Sequence, residues 1–75
     1  MILSDLKCGK KARIVNLSSI NQQFERRLMD LNIVEGTIFT VIRALSFGGP
    51  VAIESNGQHI GIRRNEASKI LVEYV

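Results

Sequence analysis

Cys8 and His59 are the chain's single cysteine and single histidine, and they are the side chains best suited to bind a soft metal ion. Structural zinc sites normally combine four such ligands at short spacings, and this chain has neither a Cys-x-x-Cys motif nor a second histidine. It also lacks the Gly-x-Ser-x-Gly, Walker-type and dinucleotide-binding glycine motifs of common enzyme classes. The sequence therefore predicts no catalytic residue, no cofactor and no dedicated metal site, and a weak metal carrier using Cys8 or His59 is left as an alternative.

Basic side chains are the second feature that could recognise a ligand, because the formal net charge is +3. They form two adjacent pairs and one group near the N-terminus, namely Arg26-Arg27, Arg63-Arg64, and Lys7, Lys10, Lys11 and Arg13. Such a distribution permits a surface for nucleic acid or for an acidic protein. Aromatic side chains that could stack on bases are few, so we interpret the basic residues as a solvated face. A small basic nucleic-acid-binding β-barrel is kept as an alternative.

Length and composition indicate one small domain over residues 1–75, because 45% of the residues are hydrophobic and there is one proline. No segment approaches the roughly 20 uncharged apolar residues that cross a bilayer. The start of the chain also lacks a basic segment followed by an apolar one. An unpaired cysteine suits a reducing compartment, so we expect a cytoplasmic protein without membrane insertion.

Residues 51–62 carry the clearest structural signal, a β-hairpin. Asn56-Gly57 supplies the positive φ angles that a two-residue type I′ turn requires. With that turn the predicted register places Ser55 opposite Gln58, Ile53 opposite Ile60 and Glu54 opposite His59. One face of the hairpin is then apolar throughout, which predicts that it packs on a core.

A helix is predicted before the central strand. Ser19 and Gln22 fit a capping box, and Phe24, Leu28 and Leu31 recur at helical spacing as a buried stripe. Three further strands are predicted over Lys11 to Leu17, Ile38 to Arg43 and Leu71 to Val75, with the second of these as the central strand. A helical turn capped by Asn65 is predicted over Asn65 to Ile70. The sequence therefore predicts a mainly β fold with five strands and one substantial helix.

Four short signals occur in order along the whole chain: Leu6-x-x-Gly9, Arg27-Leu28-x-x-Leu31-Asn32-Ile33-x-x-Gly36, Gly49-Pro50-Val51, and Ile62-Arg63-Arg64-x-Glu66-Ala67-x-x-Ile70-x-Val72. Together they resemble the FeoA family, small cytoplasmic proteins associated with bacterial ferrous iron uptake. Asn32 stands where the family usually has glycine, and we expect this change to be benign because asparagine also adopts the left-handed conformation. The loop Leu45 to Pro50 departs from the proline and acidic residue of many members, which could alter partner contacts.

The resemblance implies a small five-stranded SH3-like barrel with one inserted α-helix and a short C-terminal helical turn. It also implies a non-enzymatic accessory protein that regulates iron uptake by docking on FeoB, the membrane transporter that carries a nucleotide-binding domain. The same fold resembles the C-terminal domain of DtxR-like metal-dependent repressors, so a stand-alone homologue of that domain is an alternative. The oligomeric state is left open.

Exposed residues outside the predicted core are the candidates for partner binding. Leu45 and Phe47 lie on a glycine-flanked loop beside Arg43, and large apolar residues on such a loop are typical of a docking patch. The second candidates are the paired arginines Arg26, Arg27, Arg63 and Arg64. Arg64 has a structural alternative, since it could anchor Glu66 or the carbonyl groups of the helical turn.

Overall fold

The computed structural model describes residues 1–44 and 48–75, and within these ranges five antiparallel strands form one sheet. The strands are β1 (Lys11–Asn16), β2 (Ile38–Ala44), β3 (Val51–Ser55), β4 (Gln58–Ile62) and β5 (Leu71–Tyr74). Helix α1 (Gln22–Asp30) connects β1 to β2, the short helix α2 (Arg64–Ala67) connects β4 to β5, and a 3-10 turn covers Leu3–Asp5. The strand order β4-β3-β2-β1-β5 makes β2 the central strand, as predicted.

The β3–β4 hairpin has the predicted register, with Ser55 opposite Gln58 and Ile53 opposite Ile60. Asn56 and Gly57 have φ angles of 53° and 80°, which is the backbone of a type I′ turn. Glu54 lies opposite His59, but within the described ranges no ion pair joins their side chains. The register is therefore set by the turn and by the apolar face, without help from this charge pair.

Helix α1 begins at a different cap from the predicted one. Asn21 is the N-cap, and its Oδ1 accepts a hydrogen bond of 2.7 Å from the backbone N–H of Phe24. Ser19 does not cap the helix because residues 17–20 form the turn that leaves β1, with the N–H of Ile20 donating to the carbonyl of Leu17. The capping-box prediction was therefore wrong by two residues, while the choice of a small polar cap holds.

The end of α1 follows the prediction for Asn32, which has a φ angle of 62°. The N–H groups of Asn32 and Ile33 donate to the carbonyls of Met29 and Leu28, at 2.9 and 2.8 Å. This is the Schellman arrangement, and the buried Ile33 adds its usual hydrophobic contact. Asn32 therefore supplies the left-handed residue that ends α1, as predicted.

The core lies between the inner face of the sheet and α1, which contributes Phe24 and Leu28, while Leu31 is only half-buried. The N-terminal segment covers the outer edge of β5: the N–H of Leu3 donates to the carbonyl of Ile70, and Val72 donates to Met1. Helix α2 begins one residue earlier than predicted and has Arg63 rather than Asn65 at its N-cap.

Candidate functional site

The arginine pairs of the sequence do not act as pairs in the fold. Successive helical residues are turned by about 100°, so Arg26 and Arg27 leave α1 in different directions. Phe24 and Leu28 face the core, which directs Arg26 to the solvent side, while Arg27 flanks the buried stripe on the side of α2. Arg63, which precedes α2, lines the same cleft as Arg27, so these two side chains converge from distant segments.

The resulting cleft, here called the arginine cleft, has a volume of about 320 Å³ and is lined by Asn21, Gln23, Phe24, Arg27, Arg63 and Glu66. Arg27 and Arg63 are exposed, and neither side chain makes a hydrogen bond or ion pair with another described residue. Their guanidinium groups are therefore available to bind carboxylates in a bidentate manner. Glu66 lies in the same cleft and balances part of the arginines' positive charge. The cleft therefore favours a ligand whose acidic groups reach both guanidinium groups over an anion attracted by net charge alone.

Arg64 has a different role from Arg63. Its Nη1 donates to the carbonyl oxygen of Ser4 at 3.4 Å, so it connects α2 to the 3-10 turn near the N-terminus. Arg64 is half-buried, and a side-chain carbon placed at Gly48 would lie 4.0 Å from its Cδ. Arg64 therefore connects α2 to the N-terminal 3-10 turn.

The predicted docking loop is described only at its borders. Arg43 is exposed near the end of β2, at the point where the β2–β3 register shifts between Val41 and Arg43. Leu45 and Phe47 lie outside the described residues. Their proposed part in partner binding therefore stays a prediction.

The structure also forms a second basic surface, which was not among the predicted partner-binding sites. This lysine face is a cleft of about 410 Å³ lined by Lys7, Gly9, Lys10, Lys11, Tyr74 and Val75. The lysines were visible in the sequence as a group, but Tyr74 and Val75 reach them only because β5 pairs with β1. In the sequence, the one indication of this surface was Tyr74, a tyrosine near the end of the last predicted strand.

The other side of α1 borders a mixed cleft lined by Leu17, Glu25, Met29, Val34 and Glu35. Met29 and Val34 are about half exposed, at 57% and 47%. Glu35 is used structurally there, since its Oε2 accepts a hydrogen bond of 3.1 Å from the backbone N–H of Leu17.

The potential metal ligands are dispersed over residues 1–44 and 48–75, where no three His, Cys, Asp or Glu side chains lie together. The Cys8 thiol donates to the carbonyl of Ile42 at 2.8 Å, and His59 is exposed on β4. No helix in the described part of the chain is long and apolar enough to cross a membrane.

Comparison with known proteins identifies the family. The family model for the FeoA domain matches residues 1–74. A curated relative from Porphyromonas gingivalis (strain ATCC BAA-308 / W83), the Fe(2+) transport protein A/Fe(2+) transporter FeoB fusion protein, is 31% identical over 75 residues. The alignment covers 100% of this chain but 9% of that relative, so this chain corresponds to a small part of the fusion protein.

Solved structures agree with the fold. The FeoA protein from Chlorobium tepidum is 37% identical with a TM-score of 0.91, covering 100% of this chain and 70% of that one. FeoA of Stenotrophomonas maltophilia, described as a prokaryotic SH3 domain protein and solved with zinc, is 22% identical with a TM-score of 0.80, covering 97% and 89%. The mainly β, SH3-like prediction is therefore confirmed.

A manganese-dependent transcriptional repressor also shares the fold, with a TM-score of 0.87 at 16% identity over 100% of this chain and 41% of the repressor. This confirms the predicted likeness to metal-dependent repressors at the level of fold alone. The family match over 1–74 and the agreement in fold with FeoA structures lead to one conclusion: the chain belongs to the FeoA family.

Proposed function

We propose that this protein is a non-enzymatic accessory module of ferrous iron uptake that docks on the cytoplasmic part of a FeoB-type membrane transporter. The observation that carries the proposal is the relative in which an Fe(2+) transport protein A unit and FeoB form one polypeptide. Covalent fusion holds two modules at an effective concentration that reaches millimolar for short linkers. Where the two units are separate chains, affinity between their surfaces must replace that linkage, and the proposal assigns such a docking surface to this domain.

The arginine cleft is the proposed docking site. Arg27 and Arg63 present two guanidinium groups without partners among the described residues, at the border between α1 and α2. Their planar donors fit carboxylates, so the matching surface on the transporter is an acidic segment. Phe24 forms part of the cleft and is buried at 5% exposure, which gives the site a rigid wall on the core.

The loop that carries Leu45 and Phe47, with Arg43 beside it, is proposed as a second contact. Apolar anchors of this kind contribute affinity that salt does not screen, whereas exposed charge pairs weaken as salt rises. Salt dependence therefore separates the contributions of the two contacts. It also separates protein docking from nucleic-acid binding, whose phosphate contacts weaken much more steeply with salt.

The test is a calorimetric titration of the protein against the purified cytoplasmic part of its FeoB-type transporter, in nucleotide-free and nucleotide-bound states. The variants are R27Q/R63Q for the cleft and F47A for the loop. We expect the cleft variant to lose about 10-fold or more in affinity at low salt. F47A should lose affinity equally at low and high salt.

R26Q/K69Q is the matched control, because it also removes two positive charges, from exposed residues that do not line the cleft. Its affinity should stay within about twofold of the parent. Absence of binding in every nucleotide state contradicts the docking proposal. Equal losses for R27Q/R63Q and R26Q/K69Q would show that net charge, and not the cleft, determines binding.

A further inference from the structure

The lysine face continues the β1–β2 ladder beyond the first residue of β1. The N–H of Gly9 donates to the carbonyl of Val41 at 2.7 Å, and the N–H of Val41 donates to the carbonyl of Lys10 at 2.9 Å. The Cys8 thiol adds a bond of 2.8 Å to the carbonyl of Ile42. The lysine segment is therefore held against β2 on one side.

The last strand holds the same segment on its other side. The N–H of Val75 donates to the carbonyl of Lys11 at 3.2 Å, and Tyr74 pairs with Ala12. Two exposed side chains line the face beside the lysines, Tyr74 at 46% and Val75 at 61% exposure. The surface combines a basic character with an apolar one.

The charge of the lysine face is not balanced locally. None of the residues that line it is acidic, and no ion pair within the described ranges involves Lys7, Lys10 or Lys11. The nearby Glu73 is paired with Arg13, with 2.8 Å between Oε1 and Nη1.

We propose that the lysine face binds the anionic surface of a lipid bilayer. Lysine ammonium groups are attracted to acidic lipid headgroups. An exposed tyrosine is suited to the headgroup region because its ring is apolar and its hydroxyl is polar. Val75 supplies apolar area that can enter the boundary between headgroups and acyl chains. A nucleic-acid surface would instead be expected to present several aromatic side chains and arginines, and this face has one tyrosine and no arginine in its lining.

This inference goes beyond docking on a transporter, because the lysine face and the arginine cleft share no lining residue. A protein held by the bilayer through β1 and β5 keeps the border of α1 and α2 free for a protein partner. The protein would then meet the transporter only at the part of the transporter's surface that lies close to the bilayer.

The test is co-sedimentation of the purified protein with vesicles of phosphatidylcholine alone and of phosphatidylcholine with phosphatidylglycerol. We expect binding to the anionic vesicles that weakens as salt rises. The variant K10Q/K11Q should bind them about 30-fold more weakly, since each lysine near such a surface contributes roughly one fivefold step. Tyr74→Ser should weaken binding severalfold and leave the salt dependence unchanged.

The matched control is R26Q/K69Q, which removes two positive charges from exposed positions outside the lysine face. It should bind anionic vesicles within about twofold of the parent. Equal losses for the two double variants would overturn the proposal, as would equal binding to neutral and anionic vesicles. Retention of a single-stranded oligonucleotide without vesicle binding would assign the face to nucleic acid instead. None of these outcomes bears on the transporter titration, which is carried out without lipid.

Discussion

The arginine cleft and the lysine face are both basic, but they differ in the way that their charge is balanced. In the arginine cleft, Glu66 lies with Arg27 and Arg63, which come from separate segments of the chain. In the lysine face, no lining residue is acidic and the basic residues come from one short segment, Lys7, Lys10 and Lys11.

This difference indicates two kinds of recognition. In the arginine cleft, two planar guanidinium groups lie with a carboxylate. This arrangement selects a ligand whose acidic groups have a matching geometry. Flexible ammonium groups without a counter-charge attract any dense anionic surface, and their effect follows net charge and salt. The cleft should therefore depend on geometry and the lysine face on charge.

The largest effect concerns whether the two surfaces share one cooperative unit. Leu28 is 1% exposed and seats α1 on the sheet, so L28A should lower the free energy of unfolding by about 3 kcal/mol. Urea unfolding would be followed by helical circular dichroism and by the fluorescence of Tyr74, the single tyrosine in a chain without tryptophan. The two transitions should coincide. Separate transitions would mean that the arginine cleft and the lysine face are stabilised independently. The control is M29A, which shortens an exposed side chain of α1 and should change the free energy of unfolding by under about 1 kcal/mol.

Charge reversal should separate the two surfaces by function. We expect R27E/R63E to weaken docking on the transporter at least about 100-fold, or roughly 2.7 kcal/mol, without changing vesicle binding beyond the effect of net charge. K10E/K11E should weaken vesicle binding and leave docking on the transporter unchanged beyond the effect of net charge. Titration and co-sedimentation on the same preparations measure both. If either variant removes both activities, the two surfaces are one site.

The cap of α1 should affect the cleft more than the face. Asn21 both caps α1 and lines the arginine cleft, so N21A should cost about 1 kcal/mol of stability and weaken docking severalfold. For a domain of this size that corresponds to a fall of about 4–8 °C in Tm. Ser19→Ala, at the cap predicted from the sequence, should change Tm by less than half as much. Equal effects would contradict the assignment of Asn21 as the cap.

The smallest effect concerns the ion pair beside the lysine face. Arg13 and Glu73 are 44% and 54% exposed, so R13Q should change the free energy of unfolding by under about 1 kcal/mol. It leaves Glu73 without its partner, and vesicle binding should fall by about fivefold, the effect of one lost charge near the membrane. Thermal unfolding and co-sedimentation measure the two quantities. Unchanged vesicle binding would show that Glu73 does not influence the lysine face.

Local features were predictable where one short segment contains its own determinants. The register of β3 and β4 follows from Asn56-Gly57 and from alternation, and both are properties of adjacent residues. The cap of α1 was predicted at Ser19 because the capping-box pattern ignores the turn that the chain must make after β1. That turn depends on where β1 ends, which is decided by its pairing with β2 and β5.

The candidate sites were predictable by residue type and not by grouping. Adjacent arginines looked like units, yet Arg27 joins Arg63 in the cleft, while Arg26 faces solvent and Arg64 contacts Ser4. The lysines were recognised as basic, but their neighbours on the lysine face are Tyr74 of β5 and the adjacent Val75.

The sequence by itself determined the mainly β character, the hairpin, the amphipathic helix and the family, because turn chemistry, periodicity and short motifs are written in neighbouring residues. Only the tertiary structure decided which basic side chains share a surface. Strand order and the packing of α1 bring together residues that are far apart in the chain, and the direction of each side chain depends on the element that carries it.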